Sequence, residues 1–300
     1  MGDNFELRGV TIDVFLALRD EALRRNPDRE YWSMGRLSAE VVGNHEVLKP
    51  ECRFGRIDPA STLTYASRKS LIDCLRTPGD DCVLDLGLDY GSCVGERANV
   101  FLSFAYGDNF IELVDALEAH LERNGSKSSG SDGTETFFWY DMFVNDQWSA
   151  LQKDFEWWST TFRTAVQSIG ETLIFLTPWH RPSMLARAWC LYEISCSKKL
   201  SVAISRGQRE EFYKTLRTDQ DSIMASLCVI DLENANAWLQ EDRDRIFEVV
   251  RGMEGGFHGF NVKVVGMIRE WVVQCARQLV IEIEKGAVEA DGELTEKQLT

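Results

Sequence analysis

The sequence predicts an α/β protein in which a parallel sheet is covered by helices on both faces. Four strand-like runs alternate with three helical patterns between residues 99 and 206, which is the order of parallel strands joined by crossover helices. The first run, VFLSFA at 100–105, is apolar over almost its whole length, as expected of a strand buried on both faces. The chain has 300 residues, of which 44% are hydrophobic, so a well-filled core is expected.

Residues 1–98 are predicted to form a helical extension that packs on this core. Its first helix is ended by Asn26-Pro27 and is marked by apolar side chains at helical spacing, namely Val14, Phe15, Leu18, Ala22 and Leu23. A second, shorter helix is expected over 67–75. Residues 82–91, CVLDLGLDYG, resemble the first motif of a methyltransferase nucleotide fold, but their glycine spacing favours a plain strand and loop.

Residues 99–232 are predicted to form the α/β domain itself. Its strands are expected at 100–105, 136–140, 173–177 and 200–204, with a fifth at 227–231. Its helices are expected at 110–121, 158–169, 185–196 and 211–217. The polar, Gly/Ser-rich stretch 125–136 predicts a flexible loop.

The C-terminal part of the chain is predicted to add helices to the domain. Residues 233–285 contain two helical patterns, over 241–252 and 261–285, and the second carries a long apolar stripe. Residues 286–300 are acidic and are expected to form a flexible tail.

Composition and motifs exclude several classes of function. The net charge of −15 argues against binding to nucleic acid or to an anionic membrane, and no segment approaches the ~18 apolar residues of a membrane span. The 8 cysteines are dispersed, which fits reduced thiols in an intracellular, cytoplasmic protein. The sequence shows no phosphate-binding loop and no zinc motif, so neither a cofactor nor a metal is expected.

Ligands of parallel α/β sheets usually bind at the carboxyl ends of the strands. The residues predicted to lie there are Phe104, Tyr106, Gly107 and Asp108 after the first strand, Asp141 after the second, and Trp179 with His180 after the third. Glu193 lies in the following helix, at the edge of an apolar stripe that includes Trp189. A carboxylate among apolar neighbours is costly unless it is paired or used, which makes Glu193 the candidate catalytic residue.

Structural interpretations compete with each of these functional ones. Asp141 is equally consistent with a helix cap or a loop anchor, and Glu193 with a structural hydrogen bond or an ion pair to Arg181 or Arg187. For the tryptophans, packing in the core is favoured over contact with a ligand.

The motifs of this region resemble a TIR domain, the Toll/interleukin-1 receptor fold, over residues 98–206 and as far as 232. The similar segments, in chain order, are VFLSF at 100–104 with Gly107-Asp108, Trp139-Tyr140-Asp141, 162–177, and WCLYEI at 189–194. The whole chain is also similar to a group of TIR-like proteins from unicellular eukaryotes. The resemblance implies a flavodoxin-like parallel sheet with helices on both faces.

The chain departs from the family pattern at two places. Ala105 occupies the position of the usual Arg or Lys after the first strand, and the loop at 145–158 carries tryptophans in place of the family's glycine. That loop takes part in self-association in the family, so the mode of assembly is open.

Many TIR domains cleave NAD+ at the bond between nicotinamide and ribose, and their catalytic glutamate corresponds to Glu193. The resemblance therefore implies a nucleosidase with NAD+ as substrate, either a hydrolase or a cyclase. Phe104, Tyr106 and Trp179 are the candidates for ring stacking, and Trp189 is a further candidate for substrate binding. Other TIR domains are non-catalytic scaffolds that assemble receptor or immune-type signalling complexes, by self-association or by binding TIR-type partners, and that alternative remains open. The two functions predict different surroundings for Glu193: its carboxyl faces an open crevice in the enzyme and is buried in a salt bridge in the scaffold.

Overall fold

A computed structural model describes residues 6–42, 69–76, 86–124, 135–145, 158–228, 230–237 and 239–284. Its centre is a six-stranded sheet. The strands in chain order are β1 (Gly9–Val10), β2 (Val94–Gly95), β3 (Val100–Ser103), β4 (Phe138–Trp139), β5 (Glu171–Phe175) and β6 (Lys199–Ala203). Their order across the sheet is β2-β1-β4-β3-β5-β6.

The four strands predicted from the sequence form the parallel part of the sheet. β3 pairs in parallel with β4 on one side and with β5 on the other, and β5 pairs in parallel with β6. Phe101, Leu102 and Leu173 are almost completely buried, because helices cover both faces of these strands. The prediction of an α/β fold is confirmed.

The sheet is mixed, whereas the sequence predicted a parallel one. The N-terminal extension supplies β1 and β2, and β1 pairs antiparallel with both β2 and β4. Val10 lies opposite Val94 on one side and opposite Phe138 on the other. Strands of two residues are too short to show the alternating pattern by which strands are recognised, and neither β1 nor β2 is predicted from the sequence.

The helices, in chain order, are α1 (Ile12–Arg25), α2 (Met34–Leu37), α3 (Leu71–Arg76), α4 (Tyr90–Cys93), α5 (Phe110–Arg123), α6 (Asp141–Val144), α7 (Arg163–Ile169), α8 (Ala188–Cys196), α9 (Arg206–Thr218), α10 (Gln220–Leu227), α11 (Gln240–Arg251) and α12 (Gly256–Glu284). Single turns precede α7 at Trp158–Phe162 and α8 at Ser183–Ala186. The predicted helices at 110–121, 185–196, 211–217, 241–252 and 261–285 are confirmed within one turn or so. α7 ends at Gly170, whose φ of 98° is a conformation that favours glycine.

The fifth strand predicted at 227–231 is wrong. Leu227 is the last residue of α10, and Leu232–Asn234 forms a single helical turn. Ile223 and Leu227, four residues apart on α10, are both fully buried, so the first residue of the apolar run belongs to a helix face.

Both extensions contribute to the core. Phe15 of α1 is fully buried, and its ring lies 5.7 Å from that of Phe138 on β4 and 5.2 Å from that of Tyr140. At the other end of the chain, Trp271 of α12 stacks on Phe212 of α9 at 5.2 Å between ring centroids.

Several predicted features lie wholly or largely outside the described residues. They are the loop at 125–136, the aromatic loop at 145–158, most of the CVLDLG segment and the tail at 286–300. In the part of the chain that the structure describes, no helix combines the length and the apolar character that crossing a membrane requires.

Candidate functional site

The candidate site lies where the chain leaves two neighbouring parallel strands in opposite directions. After β3 the chain runs through α5 to β4, and after β5 it runs through α8 to β6, while β3 and β5 are paired. Such a switch point is where open α/β sheets bind their ligands, outside the carboxyl ends of the strands.

The Glu193 carboxyl of α8 lies at the end of β3. Its Oε2 atom accepts a hydrogen bond from the hydroxyl of Ser103, the last residue of that strand. Protein atoms surround the carboxyl densely, yet the residue keeps part of its surface open to solvent. Burial raises the pKa of Glu193 to about 8, against the opposing effect of the Ser103 hydrogen bond; the Asp141 charge raises the pKa further and the Arg187 charge lowers it.

Asp141 lies at the start of α6, close enough to Glu193 for their charges to interact. Its Oδ2 accepts a hydrogen bond from the Tyr106 hydroxyl at 3.1 Å, and its Oδ1 accepts one from Asn145 Nδ2 at 2.5 Å. Burial, followed by the Asp141 charge, raises the pKa of Tyr106 well above its usual value, so the phenol acts as a donor. The cap of α6 is Tyr140, and Asp141 instead organises side chains at the sheet edge.

Asp108 connects the two loops of the switch point. Its Oδ1 accepts a hydrogen bond from the hydroxyl of Ser183 in the loop after β5. Its Oδ2 is buried and has no hydrogen-bond partner among the described residues. Burial raises the pKa of Asp108 to about 6, opposed by the Ser183 hydrogen bond and, more weakly, by the Arg187 charge.

Arg187 precedes α8 and is the cation of this site. No hydrogen bond or ion pair joins its guanidinium to another described side chain, so the ion pair with Glu193 that the sequence allowed is not formed there. Its charge nevertheless acts on the carboxyls of both Glu193 and Asp108.

Phe104 and Tyr106, two candidates for ring stacking, are part of an aromatic cluster. Phe104 is 9% exposed, and its ring lies 5.2 Å from that of Tyr106 and 4.5 Å from that of Tyr140. Tyr106 keeps more exposure and carries the hydrogen bond to Asp141. Gly107 is exposed in the turn that follows, where an added Cβ would meet no atom within 4 Å.

The two candidate tryptophans contact α9 and α11. Trp179 is 4% exposed and makes edge contacts at 5.6 Å with both His180 and Phe212. Trp189 donates a hydrogen bond from Nε1 to Asp242 Oδ2 of α11 at 3.3 Å. A role for these two residues in substrate binding stays a prediction.

Residues that the sequence did not indicate hold the loop after β3 in place. In the N-terminal extension, the amides of Met34 and Gly35 donate hydrogen bonds to the carbonyls of Asp108 and Tyr106, at 2.8 and 3.0 Å. Among the residues that support the site, only Ser103 could have been noticed in the sequence, as a polar residue inside the apolar run VFLSF.

The C-terminal part of the chain positions Arg187. The amide of Ala188 donates to the carbonyl of Asn236 at 2.9 Å, and the amide of Asn236 donates to the carbonyl of Ala186 at 2.8 Å. These two hydrogen bonds flank Arg187 and fix the backbone from which its side chain extends.

No group of three or more His, Cys, Asp or Glu side chains in the described ranges is arranged to hold a metal ion. The fold and the site define an α/β protein with a carboxyl-rich candidate site at its switch point. No protein-family model, curated protein or solved structure matches the chain. Its function is therefore argued from the site.

Proposed function

We propose that the chain is a TIR-like protein that cleaves the nicotinamide–ribose bond of NAD+ with Glu193 as its catalytic residue. One observation carries the proposal. Glu193 is held at the carboxyl end of β3 by the Ser103 hydroxyl, keeps part of its surface open, and forms no ion pair with another described residue. Perturbed carboxyls in such positions are typical of functional sites.

The chemistry requires one carboxylate and no general acid. The bond between C1′ of the ribose and the pyridinium nitrogen breaks with its electron pair going to nitrogen, so nicotinamide leaves as a neutral molecule. Positive charge develops on the ribose, and water adds to C1′ and loses a proton to complete hydrolysis. A carboxylate beside C1′ stabilises this oxocarbenium-like transition state, and more strongly in a partly desolvated site than in water.

The raised pKa of Glu193 has a consequence for this reaction. With a pKa of about 8, the carboxyl of the ligand-free protein is mostly protonated at neutral pH. A cationic nicotinamide ring favours the ionised form, so substrate binding promotes release of this proton. We expect kcat/KM to rise with pH through about 8, since this parameter reports the free protein.

The test is release of nicotinamide from NAD+ by the purified chain at low and high protein concentration. Wild-type protein should release nicotinamide and Glu193→Gln should not, because the amide cannot supply the negative charge. Glu270→Gln, an exposed replacement on α12, is the matched control and should behave as wild type. A folded Glu193→Gln protein that cleaves NAD+ at the wild-type rate would contradict the proposal.

A second candidate function is a non-catalytic TIR-type module for self-association or for binding other proteins. Exposed apolar side chains on α12 favour it, namely Val262, Val273, Val280 and Ile281, because apolar side chains that face solvent are available for contact with a partner. Folded wild-type protein that releases no nicotinamide at any concentration would support this function. Release that rises more than linearly with protein concentration would instead indicate an enzyme activated by assembly.

A further inference from the structure

The helix that carries the candidate catalytic residue, α8, begins at a junction with the C-terminal part of the chain. Arg187 and Asn236 form an isolated parallel β-bridge. Its two hydrogen bonds join the backbone of Asn236 to the amide of Ala188 and to the carbonyl of Ala186. The amide of Leu191 donates to the carbonyl of Arg187 at 3.0 Å. The bridge therefore leads directly into the first turn of α8.

The segment that forms this bridge is held by Arg243 of α11. Arg243 donates a hydrogen bond from Nε to the carbonyl of Ala235 at 2.8 Å, and one from Nη2 to the carbonyl of Glu233 at 2.7 Å. Its guanidinium lies over the ring of Phe247, 4.6 Å from the ring centroid. Asn236 takes part in the bridge through its backbone, and its side chain is exposed. The position of the bridge therefore depends on the two carbonyls just before it, which Arg243 holds.

An arginine is suited to hold two carbonyls at once. Its guanidinium is planar and its donors are fixed relative to one another, and contact with the aromatic ring of Phe247 fixes the plane of the group. A lysine would offer a single nitrogen, which cannot occupy both donor positions. Arg243 thus sets where residues 233–236 lie, and the bridge transmits that position to the start of α8.

The C-terminal helices contact α8 near both of its ends. Near the start, Trp189 Nε1 donates a hydrogen bond to Asp242 of α11. Near the other end, Lys263 of α12 donates from Nζ to the carbonyl of Ser195. Glu193 lies between these contacts, so a shift of α8 relative to the C-terminal helices would move its carboxyl relative to the end of β3.

We propose that Arg243 is a positioning residue for Glu193. It fixes the segment that forms the bridge, the bridge fixes the start of α8, and α8 places the Glu193 carboxyl on the hydroxyl of Ser103. A displacement of about 1 Å at a catalytic group can lower a rate about 100-fold, so a residue on α11 can control the site without touching substrate. The catalytic part of this inference rests on the proposed function, whereas the positioning of α8 is measured without substrate.

Hydrogen exchange of backbone amides in the full-length protein, followed by NMR, tests the positioning directly. Arg243→Met keeps much of the length and packing of the side chain but donates no hydrogen bond. The amides of Ala188 and Asn236 should exchange about 10- to 100-fold faster in this variant, the range expected for loss of charged hydrogen bonds, while the amides of β5 should exchange as in wild type. Asn236→Ala is the matched control and should exchange as wild type, because it removes an exposed side chain and leaves both backbone hydrogen bonds of the bridge in place.

Arg243→Lys provides an intermediate case, and it carries the test if Arg243→Met does not fold. It keeps the charge and one of the two contacts, so the amides of Ala188 and Asn236 should exchange faster than in wild type and more slowly than in Arg243→Met. Wild-type exchange at these two amides in every folded variant of Arg243 would overturn the inference. Acceleration by the same factor in β5 would overturn it too, since Arg243 would then contribute only to global stability.

Nicotinamide release tests the catalytic part of the inference. Arg243→Met should lower kcat for NAD+ about 10- to 100-fold and leave KM within about twofold of wild type, because Glu193 acts in the transition state. Asn236→Ala should keep both constants. A wild-type kcat in a variant whose bridge exchanges faster would overturn the inference. Wild-type protein that releases no nicotinamide, in which exchange at the bridge still depends on Arg243, would contradict the nucleosidase and support the positioning of α8 by Arg243.

Discussion

Replacing Glu193 with glutamine should make the stability of the protein less dependent on pH. In the folded protein the pKa of Glu193 is raised to about 8 from an ordinary value of 4.5, mainly by burial. Below pH 4.5 the carboxyl is protonated in both the folded and the unfolded state, so it has no effect. Between these values only the unfolded chain releases the proton, and the folded state therefore loses stability as the pH rises, until it levels off above about 8.

The size of this effect follows from the difference between the two pKa values. At about 1.4 kcal/mol per pH unit, the shift of Glu193 corresponds to a loss on the order of 5 kcal/mol between pH 4.5 and 8. Glutamine keeps the shape of the side chain and can accept the Ser103 hydrogen bond, but it does not titrate. The free energy of unfolding of Glu193→Gln should thus increase, relative to wild type, by up to about 5 kcal/mol over this range.

Urea unfolding at a series of pH values between 5 and 8.5 would measure the difference. Asp108, whose pKa is also raised, is present in both proteins, so its contribution cancels when they are compared. Glu270→Gln, which removes an exposed carboxyl, should follow the wild-type curve. Parallel curves for wild type and Glu193→Gln, within about 1 kcal/mol, would show that Glu193 titrates normally and would refute the argument from burial.

Two further predictions concern the fold. Phe15→Ala should lower the free energy of unfolding by about 3–5 kcal/mol, since its fully buried ring packs on the sheet; a loss below 1 kcal/mol in urea unfolding would show that the N-terminal extension is not part of the core. Gly170→Ala should destabilise the protein by about 1–3 kcal/mol, because φ is 98° at this position. Gly207→Ala is the control, since this glycine lies inside α9 and an added Cβ would meet no other atom. It should stabilise the protein by up to about 1 kcal/mol. Equal changes in thermal midpoint for the two glycine variants would contradict the backbone argument.

The sequence predicted the four strands of the parallel part of the sheet and missed the two short antiparallel ones. β3 and β5 lie between other strands of the sheet, and each contains three consecutive buried apolar residues, a run that is visible in a sequence. The start of β5 was placed two residues late, because Glu171 is charged and pairs with Lys199 at 2.5 Å. β1 and β2 consist of two residues each, and their pairing depends on contacts distant in sequence.

The candidate site was predictable in part, because the strands that lead into it can be recognised in the sequence. The rule for the carboxyl ends of strands placed Asp108, Asp141 and Glu193 in one region, and the structure shows their charges acting on one another or on a shared arginine. The orientation of Arg187 depends on backbone hydrogen bonds to Asn236. Backbone pairing of this kind leaves no pattern of side chains, so only the structure could reveal it.

The position of β1 in the sheet affects when the chain can fold during its synthesis. Val10 pairs with Phe138, so the first strand cannot take its place until well over a hundred further residues have left the ribosome. At about 5–20 residues per second, this delay is on the order of ten seconds. During that time the apolar face of α1, including Phe15 and Leu18, is without its native neighbours on β4, so the nascent chain exposes apolar surface that the folded protein buries.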